Sequence, residues 1–261
     1  MQLDHVVVVV SSLAEATRAF AAAGFAVTPG GRHDAIPTEN ALVAFADGSY
    51  LELLATRDVG TRDELRAARA GSGWDRHLNS VSAVARRFLP ALAGADGVAD
   101  WVLRGDGLRR PAAALRALGV KASGPVAMAR ERRVPAEHGG RGVRAAWELL
   151  LPETRLHPLW IADRTPRELR VPAGAAATAH ANGATGIAAV RVRTPSVPTA
   201  ALELAEALGT VPRLLAGVTT LELAGLRIEV IEGEPQGACG VVLKDCAPLP
   251  DGITSLGVTS S

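Results

Sequence analysis

The residues most able to do chemistry cluster near the start of the chain. Glu52 stands inside Tyr50-Leu51-Glu52-Leu53-Leu54. Burying a carboxylate among such neighbours is costly unless a cation or a hydrogen-bond donor meets it. Strand side chains alternate, so Tyr50, Glu52 and Leu54 share one face and Tyr50 lines the same cup as Glu52; the alternative is an edge-strand acid facing water. His5 heads the apolar run Val6 to Val10. It is either a cavity group or a polar residue at the mouth of a buried strand, satisfied by Asp4 or the backbone. His33, after Gly30-Gly31-Arg32, is an imidazole, a side-chain type suited to general acid and base work or substrate binding as well as to a solvated loop. Asn40 either orients a substrate carbonyl or caps a turn. His180, before Asn182-Gly183, either closes one end of a cavity by hydrogen bonding or belongs to a turn in which Gly183 takes a positive φ. Trp101, Trp147 and Trp160 form an aromatic wall or pack a core, and Glu148 is a reserve carboxylate.

The elements around these residues follow from hydrophobic period and punctuation. Leu3 to Val10 is β-branched and too apolar to alternate, as in a buried strand. Ser12 with Glu15 starts a helix carrying Leu13, Ala16, Phe20 and Ala23, and Gly24 ends it. Phe25 to Thr28, Ala41 to Phe45 and Tyr50 to Ala55 read as strands, the last two joined by the Asp47-Gly48 turn. The order strand, helix, strand, strand, strand recurs from Ala99 to Asp163 and again from Gly186, where a hairpin turns at Ala224-Gly225. The expected units are residues 1–56 (module one), 57–97 (a helical insert that packs or forms a lid), 98–164 (module two), 165–232 (a connection and module three) and 233–261 (a strand and tail, with room for a degraded fourth copy).

Composition narrows the class. With 261 residues, 48% hydrophobic and 21% charged, the chain is globular. Its 28 Lys and Arg against 27 Asp and Glu give a net charge of +1, so neither nucleic acid nor an anionic membrane is an expected partner. The run Val6 to Val10 is too short for a signal or a span, so the expected location is cytoplasmic. Cys239 and Cys246 lack metal or disulfide spacing and read as small buried residues. Arg130, Glu131, Arg132 and Arg133 read as a solvated strand edge. Gly139-Gly140-Arg141-Gly142 does not open a helix after a strand, which excludes a phosphate loop.

Leu3-Asp4-His5 at the head of a βαβββ unit and Tyr50-Leu51-Glu52-Leu53 at its foot resemble the vicinal oxygen chelate superfamily, which includes glyoxalase I, bleomycin-resistance proteins and extradiol dioxygenases. Thr28-Pro29-Gly30-Gly31-Arg32-His33, Asn40-Ala41-Leu42 and His180-Ala181-Asn182-Gly183-Ala184-Thr185-Gly186 resemble its glyoxalase-like domain family in particular. The resemblance implies an α+β fold of repeated βαβββ modules forming cupped mixed sheets around a small-molecule cavity. It also implies a divalent ion (Zn, Fe, Mn, Ni or Co) held between a first-strand and a last-strand ligand of paired modules. The matching positions in module one are His5 and Glu52, chemically suited to such ions. In module two they fall near Trp101 and Ala162, which cannot bind a metal. In module three Glu229 mirrors Glu52, so pairing of modules one and three gives His5, Glu52 and Glu229, while pairing of one and two remains equally open. The implied function is metal-assisted isomerase, lyase or dioxygenase-type chemistry on a substrate with adjacent oxygens, with Glu52 and His33 moving protons and Asn40, Tyr50, Trp101, Trp147, Trp160 and His180 contacting substrate. The alternative is metal-free capture of a small molecule in an aromatic cavity. A homodimer is a further expectation.

Overall fold

The computed structural model describes residues 1–33, 36–133 and 142–261. Gly139-Gly140-Arg141 lies outside them. Module one runs β1 (Gln2–Val9), α1 (Leu13–Ala22), β2 (Thr28–His33), β3 (Thr38–Ala44) and β4 (Tyr50–Thr56). Ser12 caps α1 by accepting from the Glu15 N–H. Three helices follow, α2 (Val59–Ala70), α3 (Trp74–Ser80) and α4 (Ala83–Leu92). Module two runs β5 (Gly97–Arg104), α5 (Arg109–Ala117), β6 (Ala122–Arg133), β7 (Gly142–Pro152) and β8 (Leu159–Asp163). After a single turn at Arg167–Leu169 and the short α6 (Ala175–Thr178) comes module three: β9 (Gly186–Thr194), α7 (Val197–Leu208), β10 (Arg213–Leu215), β11 (Val218–Leu223) and β12 (Leu226–Glu232). The chain ends with β13 (Gly237–Lys244), α8 (Asp251–Thr254) and β14 (Val258–Ser260).

Modules one and two build one eight-stranded sheet in the order β2-β3-β4-β1-β5-β8-β7-β6, and the rest builds a six-stranded sheet in the order β10-β11-β12-β9-β13-β14. The second sheet repeats the first. β1 runs parallel to β4 and antiparallel to β5, and β9 runs parallel to β12 and antiparallel to β13. β5 and β8 are parallel, as are β13 and β14, so the tail is a truncated fourth module. The pairing of modules one and three is thereby corrected: module one shares its sheet with module two.

Two local differences from the sequence reading have physical causes. Phe25 is buried against Phe20 as the chain leaves α1, and β2 starts only at Thr28. β10 is a three-residue strand, all of it exposed, too short for a hydrophobic period to reveal.

One face of the first sheet packs against the second sheet and its helices. Val6, Val8, Trp101, Leu103 and Trp160 share a core with Phe20 of α1, Leu115 of α5, Leu204 of α7 and Val190, Ile228 and Val241 of the second sheet. The other face is concave, and the insert fills part of it. Leu89 and Leu92 of α4 pack on Val7, Val9 and Leu54, while Val84 and Phe88 reach Val102, Leu159 and Ile161. Buried Arg87 holds α4 in place: Nε and Nη2 donate to the two Asp100 oxygens at 2.6 and 2.8 Å, and the other N–H groups reach the Pro152, Thr154 and His157 carbonyls. No helix among the described residues is long and apolar enough to cross a membrane.

Candidate active site

Between the concave face and α4 lies a cavity of about 120 Å³. One end is polar, with His5, His33, Thr38, Asn40, Tyr50, Glu52, Arg130 and Arg170; the far wall is apolar, with Phe88, Val102, Met128, Trp147, Leu159 and Ile161 prominent.

A strand irregularity creates the central feature. Sequence neighbours on a regular strand point to opposite faces. Between Leu3 and His5 the pairing with β5 slips by one residue, so that Leu3 faces Leu103 and His5 faces Val102. At this bulge the His5 Nδ1–H donates to Asp4 Oδ1 at 2.7 Å. Asp4 is fully buried and surrounded by cations. Arg170 donates to both its oxygens at 2.9 and 3.1 Å, and Arg167 Nε donates to Oδ2 at 3.2 Å. Burial pushes the Asp4 carboxyl up, but Arg170 and His5 outweigh it and hold the group well below the usual carboxylate range.

The other nitrogen of His5, Nε2, faces Glu52 Oε2 at 3.4 Å. Burial alone pushes His5 toward the neutral form, yet the carboxylates of Asp4 and Glu52, one at each nitrogen, raise its pKa above the ordinary 6.5. Burial likewise raises Glu52, but His5, His33 and Asn40 together bring it from 4.5 to about 2. Asn40 Nδ2 donates to Glu52 Oε1 at 2.5 Å, while its own Oδ1 accepts the Gly31 N–H at 2.7 Å. The second bond fixes which way the amide points. It also explains the glycines: β2 bulges between Pro29 and Gly31, and a Cβ on Gly30 would lie 2.0 Å from Asn40 Oδ1.

The Tyr50 ring stacks on His5, centroids 4.5 Å apart and planes 20° from parallel. The Arg167 guanidinium lies 5.8 Å from the Tyr50 ring centroid. The Tyr50 oxygen accepts from Arg170 Nη1 at 2.9 Å. His33 lines the cavity with Nδ1 at 2.9 Å from Thr38 Oγ1.

Trp147 lines the cavity, whereas Trp101 and Trp160 lie on the opposite face of the sheet in the shared core. The slip at Asp4 is the reason: it sets Val102, not Trp101, opposite His5, and a one-residue shift exchanges faces. Leu159 and Ile161 likewise face the cavity and Ala162 does not. His180 is turned to the scaffold. Its Nδ1 accepts the Ala26 N–H at 2.9 Å and its Nε2 donates to the Ala44 carbonyl at 3.0 Å, between Phe25 and Phe45. Glu229 belongs to the second sheet, bound to Arg191 and Arg227 at 2.8 and 2.9 Å, so it cannot meet His5. Glu148 pairs with Arg164. Arg130, expected at a solvated edge, lines the cavity and packs on Gly31, bringing the outermost strands β6 and β2 together across the mouth. Sequence reasoning missed Arg170 and Arg167, which sit in an irregular connection whose pattern carries no period.

The donor set does not fit the divalent ion that the superfamily implies. The cavity offers His5 Nε2, the Glu52 carboxylate and His33, whose Nδ1 is engaged with Thr38, while the strands of module two present Val102, Leu159 and Ile161, which have no lone pair. Catalytic divalent sites ordinarily use three protein ligands. No group of three or more His, Cys, Asp or Glu side chains among the described residues is arranged to hold a metal.

Comparison with known proteins places this geometry. A hypothetical protein from Staphylococcus aureus superposes with a TM-score of 0.70 at 16% identity, covering 94% of this chain and 91% of that one. A variant of 4-hydroxymandelate synthase from Streptomyces coelicolor superposes with a TM-score of 0.51 at 13% identity, covering 93% of this chain and 70% of that one. At these identities the likeness is one of fold. A search of the curated proteins found no match. The model of the glyoxalase-like domain matches residues 3–208. The chain therefore belongs to the glyoxalase-like domain family.

Proposed function

We propose that the protein is a small-molecule enzyme that moves a proton on carbon next to a carbonyl, using His5 and Glu52 without a resident metal. The observation that carries this reading is the His5–Glu52 pair at the polar end of an otherwise apolar cavity, with Asp4 behind the imidazole. At 3.4 Å the contact is longer than a good hydrogen bond, so a substrate oxygen can displace Glu52 from Nε2. Once displaced, Glu52 loses the His5 contact, one of the causes that with His33 and Asn40 bring its pKa to about 2, and burial then counts for more, making it a stronger base. The substrate C–H bond breaks and its proton passes to Glu52. The electron pair moves onto the carbonyl oxygen, stabilised by the Nε2–H of His5. Return of a proton from Glu52 to the same carbon re-forms the carbonyl and completes the exchange, and return to the other face of that carbon gives the epimer. Asn40 keeps Glu52 Oε1 occupied, leaving Oε2 to react.

The test is solvent deuterium incorporation, followed by nuclear magnetic resonance, into a panel of small ketones and hydroxy ketones. The protein is stripped with chelator beforehand. Exchange at the carbon beside the carbonyl, lost in Glu52→Gln, is the expected result. Absence of exchange across the panel overturns it. The apolar wall around Trp147 favours a second reading, capture without turnover; quenching of tryptophan fluorescence without exchange would identify it.

A further inference from the structure

Arg170 donates all five of its N–H groups: two to Asp4, two to Asp163 and one to the Tyr50 oxygen. A phenol that accepts from a guanidinium still carries its own proton. Among the described residues no acceptor meets that proton, and the Tyr50 ring is fixed by stacking on His5. Tyr50 lines the cavity beside His5 on the neighbouring strand, in direct register. We infer that the Tyr50 hydroxyl donates a second hydrogen bond to the substrate beside that of His5, and that Arg170 is the positioning residue that makes it a donor. The site therefore selects carbonyl compounds with a second oxygen acceptor at the polar end and a short apolar tail toward Phe88, Met128 and Trp147. This rests on the proton-transfer reading for the role of His5, but it makes a separate demand on Tyr50.

Tyr50 is the only tyrosine of the chain, so any tyrosine signal reports it alone. Protein labelled at the tyrosine ring carbon bearing the oxygen gives one resonance, and acetoin and butanone differ by one hydroxyl. Acetoin is expected to shift that resonance and butanone to leave it nearly unmoved. Wild type should prefer acetoin over butanone in KM by about tenfold, the scale of one neutral hydrogen bond, and Tyr50→Phe should lose the preference. Arg170→Lys should lose it too, whereas a purely structural Arg170 would slow both compounds equally and keep the ratio. If acetoin is exchanged but leaves the resonance unmoved, the Tyr50 inference is overturned and the proton-transfer reading stands. A shift with acetoin and no exchange supports the Tyr50 contact and removes the proton-transfer reading. Neither shift nor exchange overturns both. The labelled wild-type measurement keeps the inference testable even if Tyr50→Phe fails to fold.

Discussion

Asp4 and His5 are consecutive on one strand, yet their side chains are hydrogen-bonded at 2.7 Å. The slip in the β1–β5 ladder makes this contact available and leaves the far side of the imidazole facing Glu52. The resulting order, carboxylate, imidazole, carboxylate, is the electrostatic core of the site.

Removing Asp4 should reach beyond His5. Asp4→Asn takes the fully buried counter-charge from Arg167 and Arg170, leaving Arg170 only Asp163, and breaking such buried pairs typically costs about 3 to 5 kcal/mol. Urea unfolding should show a loss of that order, and the His5 pKa, read from its ring proton resonances, should fall.

The pH dependence of stability follows from the two shifts. Glu52 is lowered from 4.5 to about 2, so its contribution is full above 4.5 and is lost as pH falls toward 2. His5 is raised above 6.5, so its contribution is full below 6.5 and is lost as pH rises through the folded value. These two groups together favour the folded state most between about pH 4.5 and 6.5. Glu52→Gln should flatten the acid limb of stability against pH; an unchanged acid limb would contradict the pairing.

Gly30→Ala forces a methyl group 2.0 Å from Asn40 Oδ1. The strand or the amide must move, at a cost of about 1 to 3 kcal/mol, and Glu52 loses its fixed partner. Exchange activity should fall by more than the fraction of protein unfolded. Activity that simply tracks folding would argue against the Asn40 role.

Glu229→Ala is the matched control. Glu229 pairs with two half-exposed arginines of the second sheet, so exchange should be unaffected and stability should change by about 1 kcal/mol or less. A substantial loss of exchange activity would reinstate a link between the two sheets.

The sequence made the alternation of Tyr50, Glu52 and Leu54 readable because a two-residue period survives any detail of tertiary packing. The repeated βαβββ order was readable for the same reason. Trp101 and Trp160 were not, because a bulge at Asp4 leaves no trace in hydrophobicity and exchanges the faces of the paired strand. Glu229 mirrors Glu52 because the modules are copies, and only the strand order shows that the copy lies in another sheet. Arg170 reaches Asp4 across 166 positions of sequence, a contact no local pattern announces.

The central claim is proton transfer by His5 and Glu52 without a metal. The most direct measurement is the rate of deuterium exchange into a substrate by chelator-treated protein, before and after adding each of zinc, iron, manganese, nickel and cobalt. One rate throughout, abolished by Glu52→Gln, is the expected result. Exchange that appears only with an added ion and rises in proportion to the ion bound would contradict it.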